Sequence, residues 1–253
     1  MKITLISHTP DPEKLVAAAA KVCYSSSDID RIFDNLNDHE AVAPFIHMLV
    51  EMGHESPLEH ISFTFGIEGV SRSLLAQITR HRIASFSVQS QRYVKENNFQ
   101  HVTPPAISDN PAALERYEQA MDYCQAAYDE LFTLLYEGYC REYEKSGGKD
   151  PKMLKAYEKT AMEDARFVLP NASCTKMMVT MNARSLLNFF SLRCCARAQW
   201  EIHAVGDEML RLVKQVAPVV FEGAGPGCME GSCPEGKMTC GRAIEVREKY
   251  NSL

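Results

Sequence analysis

The sequence predicts a mixed α/β fold, an α+β arrangement in which a mixed sheet carries long flanking helices. Three features predict it. Residues 2–7 and 61–67 alternate apolar and polar side chains with the period of a strand, and residues 175–181 also suit a strand. Residues 114–135 repeat apolar side chains at spacings of three and four, as one long helix does. Helix starts and stops punctuate the chain between them, with Asp11-Pro12 and Asn110-Pro111 opening helices and Gly53 and Gly147-Gly148 closing them.

Residues 2–7 form the first strand, and the helix opened by Asp11-Pro12 runs through Ala17-Ala18-Ala19-Ala20. Asp38 is placed to cap a second helix that reaches about Met52, with Phe45, Leu49 and Met52 on one face, and His54 begins a loop. In the next strand Ile61, Phe63, Phe65 and Ile67 alternate with Ser62, Thr64 and Gly66. Residues 71–79 follow as a helix and residues 85–92 as an ordered polar loop. Asn110 caps the long helix, whose seam is Leu114, Tyr117, Met121, Cys124, Tyr128, Leu131 and Leu135, facing either its own subunit or another copy. A strand over 175–181 leads to Asn182, the cap of a helix that carries Arg184, Asn188 and Arg193 toward Gln199-Trp200, and a further helix runs to about Val216.

The chain has 253 residues and a formal net charge of -6. That balance argues against a general nucleic-acid binder, because counterion release needs a broadly basic surface. Nine cysteines without an apolar secretory segment at the start point to reduced thiols and a cytoplasmic setting, and no apolar run is long enough for a membrane span.

Against this acidic background, Arg80-His81-Arg82 and Ser90-Gln91-Arg92 place three guanidiniums, an imidazole and a hydroxyl within thirteen residues. Guanidiniums present planar paired donors that match phosphate oxygens, so the ligand expected here is a nucleotide or another phosphorylated molecule. Read alone, the cluster also fits a surface ion-pair network, or a non-catalytic nucleotide- or RNA-binding module that grips phosphate with Arg80, Arg82 and Arg92.

Arg80-His81-Arg82, seven residues, then Ser90, one residue and Arg92 resembles the signature of the flavin-dependent thymidylate synthases. The resemblance extends from Cys23-Tyr24-Ser25 through Gly53-His54-Glu55-Ser56-Pro57-Leu58-Glu59-His60 to Asn182-Ala183-Arg184-Ser185-Leu186-Leu187-Asn188-Phe189, Arg193 and Gln199-Trp200-Glu201-Ile202. It implies a homotetramer that converts dUMP to dTMP, with methylenetetrahydrofolate as carbon donor and NADPH-reduced FAD as hydride source. No stable nucleic-acid partner and no membrane are expected. By the same resemblance Arg80, His81, Arg82, Ser56, Asn182, Arg184 and Asn188 contact FAD, and His54 lies beside the flavin or folate. Gln77, Arg80, Ser90 and Arg92 line the dUMP site, Arg166 reaches a neighbouring subunit's dUMP phosphate, and Arg193 is the catalytic residue, activating uracil C5 from beside N3 and O2.

Each assignment has a plainer reading. Arg193 suits a helix C-terminus, Arg166 an ion pair with Glu163, and Asn182 a cap. His54-Glu55 lacks the second histidine of a zinc-protease helix, since position 58 is leucine. Residues 1–222 are expected to form one domain, and 223–253 a Cys/Gly-rich extension. In that extension Cys228, Cys233 and Cys240 suit zinc only with a fourth ligand from elsewhere, so a free-thiol or redox-sensitive tail is favoured and no metal is assigned. Val88 and Arg197 depart from the family pattern, and neither receives a role.

Overall fold

The computed structural model describes residues 1–36, 39–94 and 98–253. Along the chain they form β1 (Lys2–His8), α1 (Pro12–Val22), α2 (Ile29–Asp34), α3 (His39–Glu51), a 3-10 turn (Ser56–His60), β2 (Ser62–Ser71), α4 (Arg72–Ile78) and β3 (Ala84–Val88). Then come α5 (Pro105–Ser108), α6 (Pro111–Lys145), α7 (Pro151–Ala165), a 3-10 turn (Arg166–Val168), β4 (Cys174–Asn182), α8 (Ala183–Arg193), α9 (Trp200–Lys214), a 3-10 turn (Gly236–Met238) and α10 (Ala243–Asn251). The strands form one sheet in the order β1-β2-β4-β3. Contacts divide the chain into a first unit of residues 1–67, 76–87 and 177–253 and a second of residues 68–75 and 88–176.

Alternation along the strands builds the core of the first unit. Ile61, Phe63, Phe65 and Ile67 are fully buried, while on the opposite face of β2 the Thr64 hydroxyl meets that of Thr180 on β4 at 2.9 Å. Phe189 and Phe190 of α8 stack edge to face, and Phe221 packs edge-on against both Phe63 and Phe190. Such aromatic pairs add geometric preference to the area they bury. Residues Ile202, Val205, Met209, Leu210 and Val213 give α9 one buried face. The cap of α8 forms as expected, with Asn182 Oδ1 accepting from Ser185 N at 2.8 Å.

In the second unit α6 and α7 pair around Tyr128, Phe132, Ala161, Met162 and Ala165. Asn110 Oδ1 accepts from Ala113 N and Asp150 Oδ1 from Lys152 N, and proline opens both helices, where its missing donor costs nothing. Gly147 makes the turn between them with φ 77°, a left-handed conformation that glycine adopts without a Cβ clash.

Several expectations need correction. The sheet is antiparallel rather than mixed. Thr9 N donates to Ser62 O, Ala183 N to Ile61 O and Gln89 N to Lys176 O, each at 3.0 Å, and each pairs the end of one strand with the start of its neighbour. Alternation reports which face of a strand is buried and carries no information on its direction. Residues 85–88 of the loop expected over 85–92 instead belong to β3; Ala84, Phe86 and Val88 are half-buried while Ser85 and Ser87 face out. The buried face of α3 is Val42, Ile46 and Leu49, not Phe45, Leu49 and Met52, and Met52 is exposed. Asp38, the expected cap, lies outside the described residues. On α6, Met121 and Tyr128 are buried, but Leu131 is exposed and Phe132 takes its place against α7. The helix from Asn182 ends at Arg193, short of Gln199, whose side chain caps α9 instead. Helices α2, α5, α7 and α10 were not anticipated. No helix among the described residues is long and apolar enough to cross a membrane.

Replacing fully buried Phe63 by alanine removes its packing against Phe221 and should lower stability by about 3–5 kcal/mol. The half-exposed Met178→Ala change should alter it by no more than about 0.5 kcal/mol. Urea unfolding followed by circular dichroism compares the two, and similar midpoints would show that the core is centred elsewhere.

Candidate functional site

The first unit brings the end of α8 against the turn that follows α4. Backbone bonds from Arg80 N to Gln77 O and from His81 N to Ile78 O wind the chain one step past α4 and turn the His81 ring inward. The ring is buried at 7% exposure and rests edge-on against Phe189, with centroids 4.9 Å apart. Arg193, the last residue of α8, donates from Nε to His81 Nε2 at 2.8 Å. Nε2 is therefore the acceptor and the ring hydrogen sits on Nδ1. Burial, reinforced by the Arg193 charge, pushes the His81 pKa down to about 4, so the ring is neutral at physiological pH. Arg193 is itself partly buried, and its pKa is lowered first by desolvation and then by the charge of Arg80. The charge of exposed Arg80 thus acts on partly buried Arg193 beside an uncharged imidazole, an arrangement that favours an incoming anion.

A neighbouring cavity of about 550 Å³ in the same unit is lined by Glu55, Glu59, Arg82, Ile83, Asn182, Arg184, Ser185, Asn188 and others. Arg184 spans it, with Nε donating to Glu55 Oε2 at 2.8 Å and Nη1 to Glu59 Oε1 at 2.5 Å. Its pKa rises, chiefly through Glu59 and then Glu55. Ser185 Oγ accepts from Ile83 N at 3.2 Å, joining the start of α8 to the segment after Arg82. Four predicted residues, Arg82, Asn182, Arg184 and Asn188, therefore line one wall. Ser56 is an exposed residue at the start of the 3-10 turn, and His54 is an exposed residue two positions earlier; neither is in the cavity lining. Gln77 is half-buried in the last turn of α4.

The remaining predicted residues belong to the second unit, where Glu163 gathers them. Ser90 Oγ accepts from Arg92 N at 3.2 Å, and Arg92 Nη1 donates to Glu163 Oε1 at 3.0 Å. Arg166 does not use the Glu163 carboxylate, which a salt bridge three residues apart would require; its Nε donates to the Glu163 backbone carbonyl at 3.1 Å. The Glu163 pKa is lowered, first by the hydrogen bond from Arg92.

Sequence reasoning passed over Glu55 and Glu59 as ligand-site residues and the carboxylate of Glu163 as a partner of Arg92. Each is an ion-pair partner supplied from far along the chain. In the tail, Cys228 is buried and its thiol pKa is raised by burial and by the nearby Cys233, Cys195 and Cys240 thiols. Among the described residues no three His, Cys, Asp or Glu side chains are grouped to hold a metal ion. Val88 ends β3, and Arg197 Nη1 donates to Met238 O at 2.7 Å.

Residues 4–219 match the family model described as thymidylate synthase complementing protein. The chain is 50% identical to a protein of Clostridium tetani over 99% of its own length and 97% of the relative's. It is 49% identical to one of Geobacter sulfurreducens over 100% and 99%, and 47% identical to one of Nitratidesulfovibrio vulgaris over 95% and 94%. All three relatives are named flavin-dependent thymidylate synthase. With a family match over most of its length and relatives aligned nearly end to end, the chain belongs to the flavin-dependent thymidylate synthase family.

Proposed function

We propose that this chain converts dUMP to dTMP by reductive methylation, using FAD, NADPH as reductant and methylenetetrahydrofolate as carbon donor. The pairing of Arg193 with neutral His81 beside Arg80 carries this reading. A guanidinium fixed by an uncharged acceptor keeps its full positive charge for a substrate. It also needs no reorganisation when negative charge develops on the uracil ring, and such preorganised donors are each worth roughly 3–4 kcal/mol of barrier lowering. Arg193 set against uracil N3 and O2 stabilises the N3-deprotonated or enolate-like form and so raises electron density at C5. His81 serves by holding the guanidinium plane and by staying neutral, since a protonated ring would repel it. Gln77 and Arg80 lie close by in sequence to line the same substrate, and Ser90 and Arg92 supply the phosphate contacts, Arg92 exchanging its Glu163 partner for phosphate.

The wall of the 550 Å³ cavity suits a flavin dinucleotide by its donor set. Arg82, Arg184 and the capped start of α8 offer donors to diphosphate oxygens. The carboxylates of Glu55 and Glu59 accept from ligand hydroxyls, and Asn182, Ser185 and Asn188 serve either way. FAD presents both kinds of group, and when bound and reduced by NADPH it supplies the hydride that completes the methyl group. Ser56 and His54 border this cavity in sequence and would contact the cofactor or the folate.

A cytoplasmic homotetramer belongs to the same proposal. It is supported by apolar side chains left on the second unit: Tyr123 (77% exposed) and Leu134 (56%) on α6, and Phe167 (81%) immediately after Arg166. An exposed aromatic beside an arginine suits an interface between copies, where Arg166 would reach the neighbouring copy's dUMP phosphate. Residues 223–253 are proposed as an extension of the family domain, a reading supported by the match ending at residue 219. Neither the family match nor the full-length relatives support a non-catalytic nucleotide- or RNA-binding role.

Purified protein supplemented with FAD should oxidise NADPH in a dUMP-dependent manner and form dTMP when methylenetetrahydrofolate is present. A flavin-free protein that forms no dTMP would overturn the reading. Arg193→Ala should retain the flavin spectrum and lose dTMP formation by a factor of about 100–1,000, and normal turnover by that variant would remove Arg193 from the chemistry. The folded His81 pKa of about 4 lies below the ordinary 6.5, so the fold favours the neutral ring. That contribution to stability is fully present above pH 6.5 and is lost as pH falls through about 4. Urea midpoints taken from pH 7 to 4 should therefore drop less steeply for His81→Gln than for the unaltered chain, and parallel curves would show that His81 is not the titrating group.

A further inference from the structure

The Arg193 guanidinium is held in front by His81, and the backbone behind it is held from the opposite side by α9 and α10. Gly206 of α9 lies against the turn, so that a Cβ built there would fall 3.3 Å from Cys194 Sγ and 3.5 Å from both the carbonyl carbon and the Cβ of Arg193. One turn earlier, His203 Nδ1 faces the Arg193 carbonyl at 3.1 Å and the Cys195 carbonyl at 3.2 Å, so Nδ1 bears the hydrogen. Asp207, next to Gly206 and one turn after His203, stands 3.4 Å from His203 Nε2. The C-terminal helix closes the arrangement. Tyr250 Oη, on a side chain 1% exposed, lies 2.5 Å from Asp207 Oδ1 and 2.9 Å from the Cys194 carbonyl, and Lys249 Nζ lies 2.5 Å from Asp207 Oδ2. The backbone of Tyr250 is fixed in turn, its carbonyl accepting from Lys214 Nζ at 2.7 Å. Burial raises the Tyr250 pKa far above its usual value, with Cys194 and Asp207 adding to the rise, so Oη remains a hydroxyl donor. The same burial raises the pKa of the Cys194 thiol.

Tyr250 lies 31 residues beyond the end of the family match at residue 219, yet its hydroxyl touches the residue that follows Arg193. We propose that Tyr250 is a positioning residue for the thymidylate reaction, the C-terminal helix setting the direction of the Arg193 guanidinium through the Cys194 carbonyl and Asp207. This rests on Arg193 being the catalytic residue. A guanidinium ends a long, flexible side chain, and displacement of its anchor by a fraction of an ångström misaligns donors that must meet a planar ring. The aromatic ring of Tyr250 supplies packing, while the hydroxyl supplies the link to the turn, so the two contributions can be separated by removing the oxygen alone.

The test is Tyr250→Phe in the full-length, FAD-loaded protein, assayed for dTMP formation with varied dUMP at saturating NADPH and methylenetetrahydrofolate. We expect kcat to fall on the order of tenfold, with FAD content and the melting curve unchanged at the assay temperature. The loss should also shrink when the same change is made in an Arg193→Lys background, because residues that act through one another are not additive. Gly206→Ala, which adds one methyl group against the Arg193 backbone, should give the same signature from the other side if Tyr250→Phe fails to fold. Unchanged kcat and KM, a loss that merely tracks FAD content or folded fraction, or full additivity with Arg193→Lys would each overturn the positioning role. Failure of the underlying reading looks different, since Arg193→Ala would then itself retain turnover.

Discussion

The bond from Arg193 Nε to His81 Nε2 is the contact on which the candidate site depends. It joins the C-terminal end of α8 to the turn after α4, and it works only while the imidazole is neutral. The protein secures that neutrality by burial. Phe189 covers one edge of the ring and the adjacent guanidinium opposes a second positive charge. Desolvation thus sets the protonation state of His81, which in turn orients Arg193. Phe189, packed with Phe190 and through it with Phe221, therefore shapes the surroundings of His81 as well as the core.

What could be read from the sequence follows the range of the forces involved. The Asn182 and Asn110 caps and the alternation of Phe63, Phe65 and Ile67 are local, decided within a few residues, and they formed as anticipated. The residues of the arginine signature were also legible, because their spacing carries the family resemblance. Their partners were not. Arg92 meets Glu163 across 71 positions and Arg184 meets Glu55 across 129. No local pattern marks which of 33 acidic residues a given arginine will find. Strand direction was lost for a similar reason, since antiparallel pairing of β2 with β4 is a long-range event that leaves alternation unchanged. Helix α7 was hidden by the strong stop signal at Gly147-Gly148, which proved to be the turn of a helical hairpin rather than the end of the helical region.

Charge is balanced locally in this protein rather than left bare. Arg184 is braced by two carboxylates and Arg92 by one, and these exposed pairs hold the side chains in place more than they stabilise the fold. Arg193 differs in leaning on a neutral acceptor. Partnering a cation with a carboxylate lowers its pull on a ligand, whereas partnering it with an imidazole nitrogen leaves that pull intact. Guanidiniums of the same family signature are in this way given different strengths by their neighbours.

Cys194 follows Arg193 directly and is packed against Gly206 with its thiol held protonated. Oxidants attack thiolates far faster than thiols. Reduced flavins that meet dioxygen release hydrogen peroxide, so in a flavin-dependent family a reactive thiolate beside the proposed site would be a liability. Burial and a raised thiol pKa leave Cys194 with little thiolate, so its sulfur packs against Gly206 as a small apolar spacer.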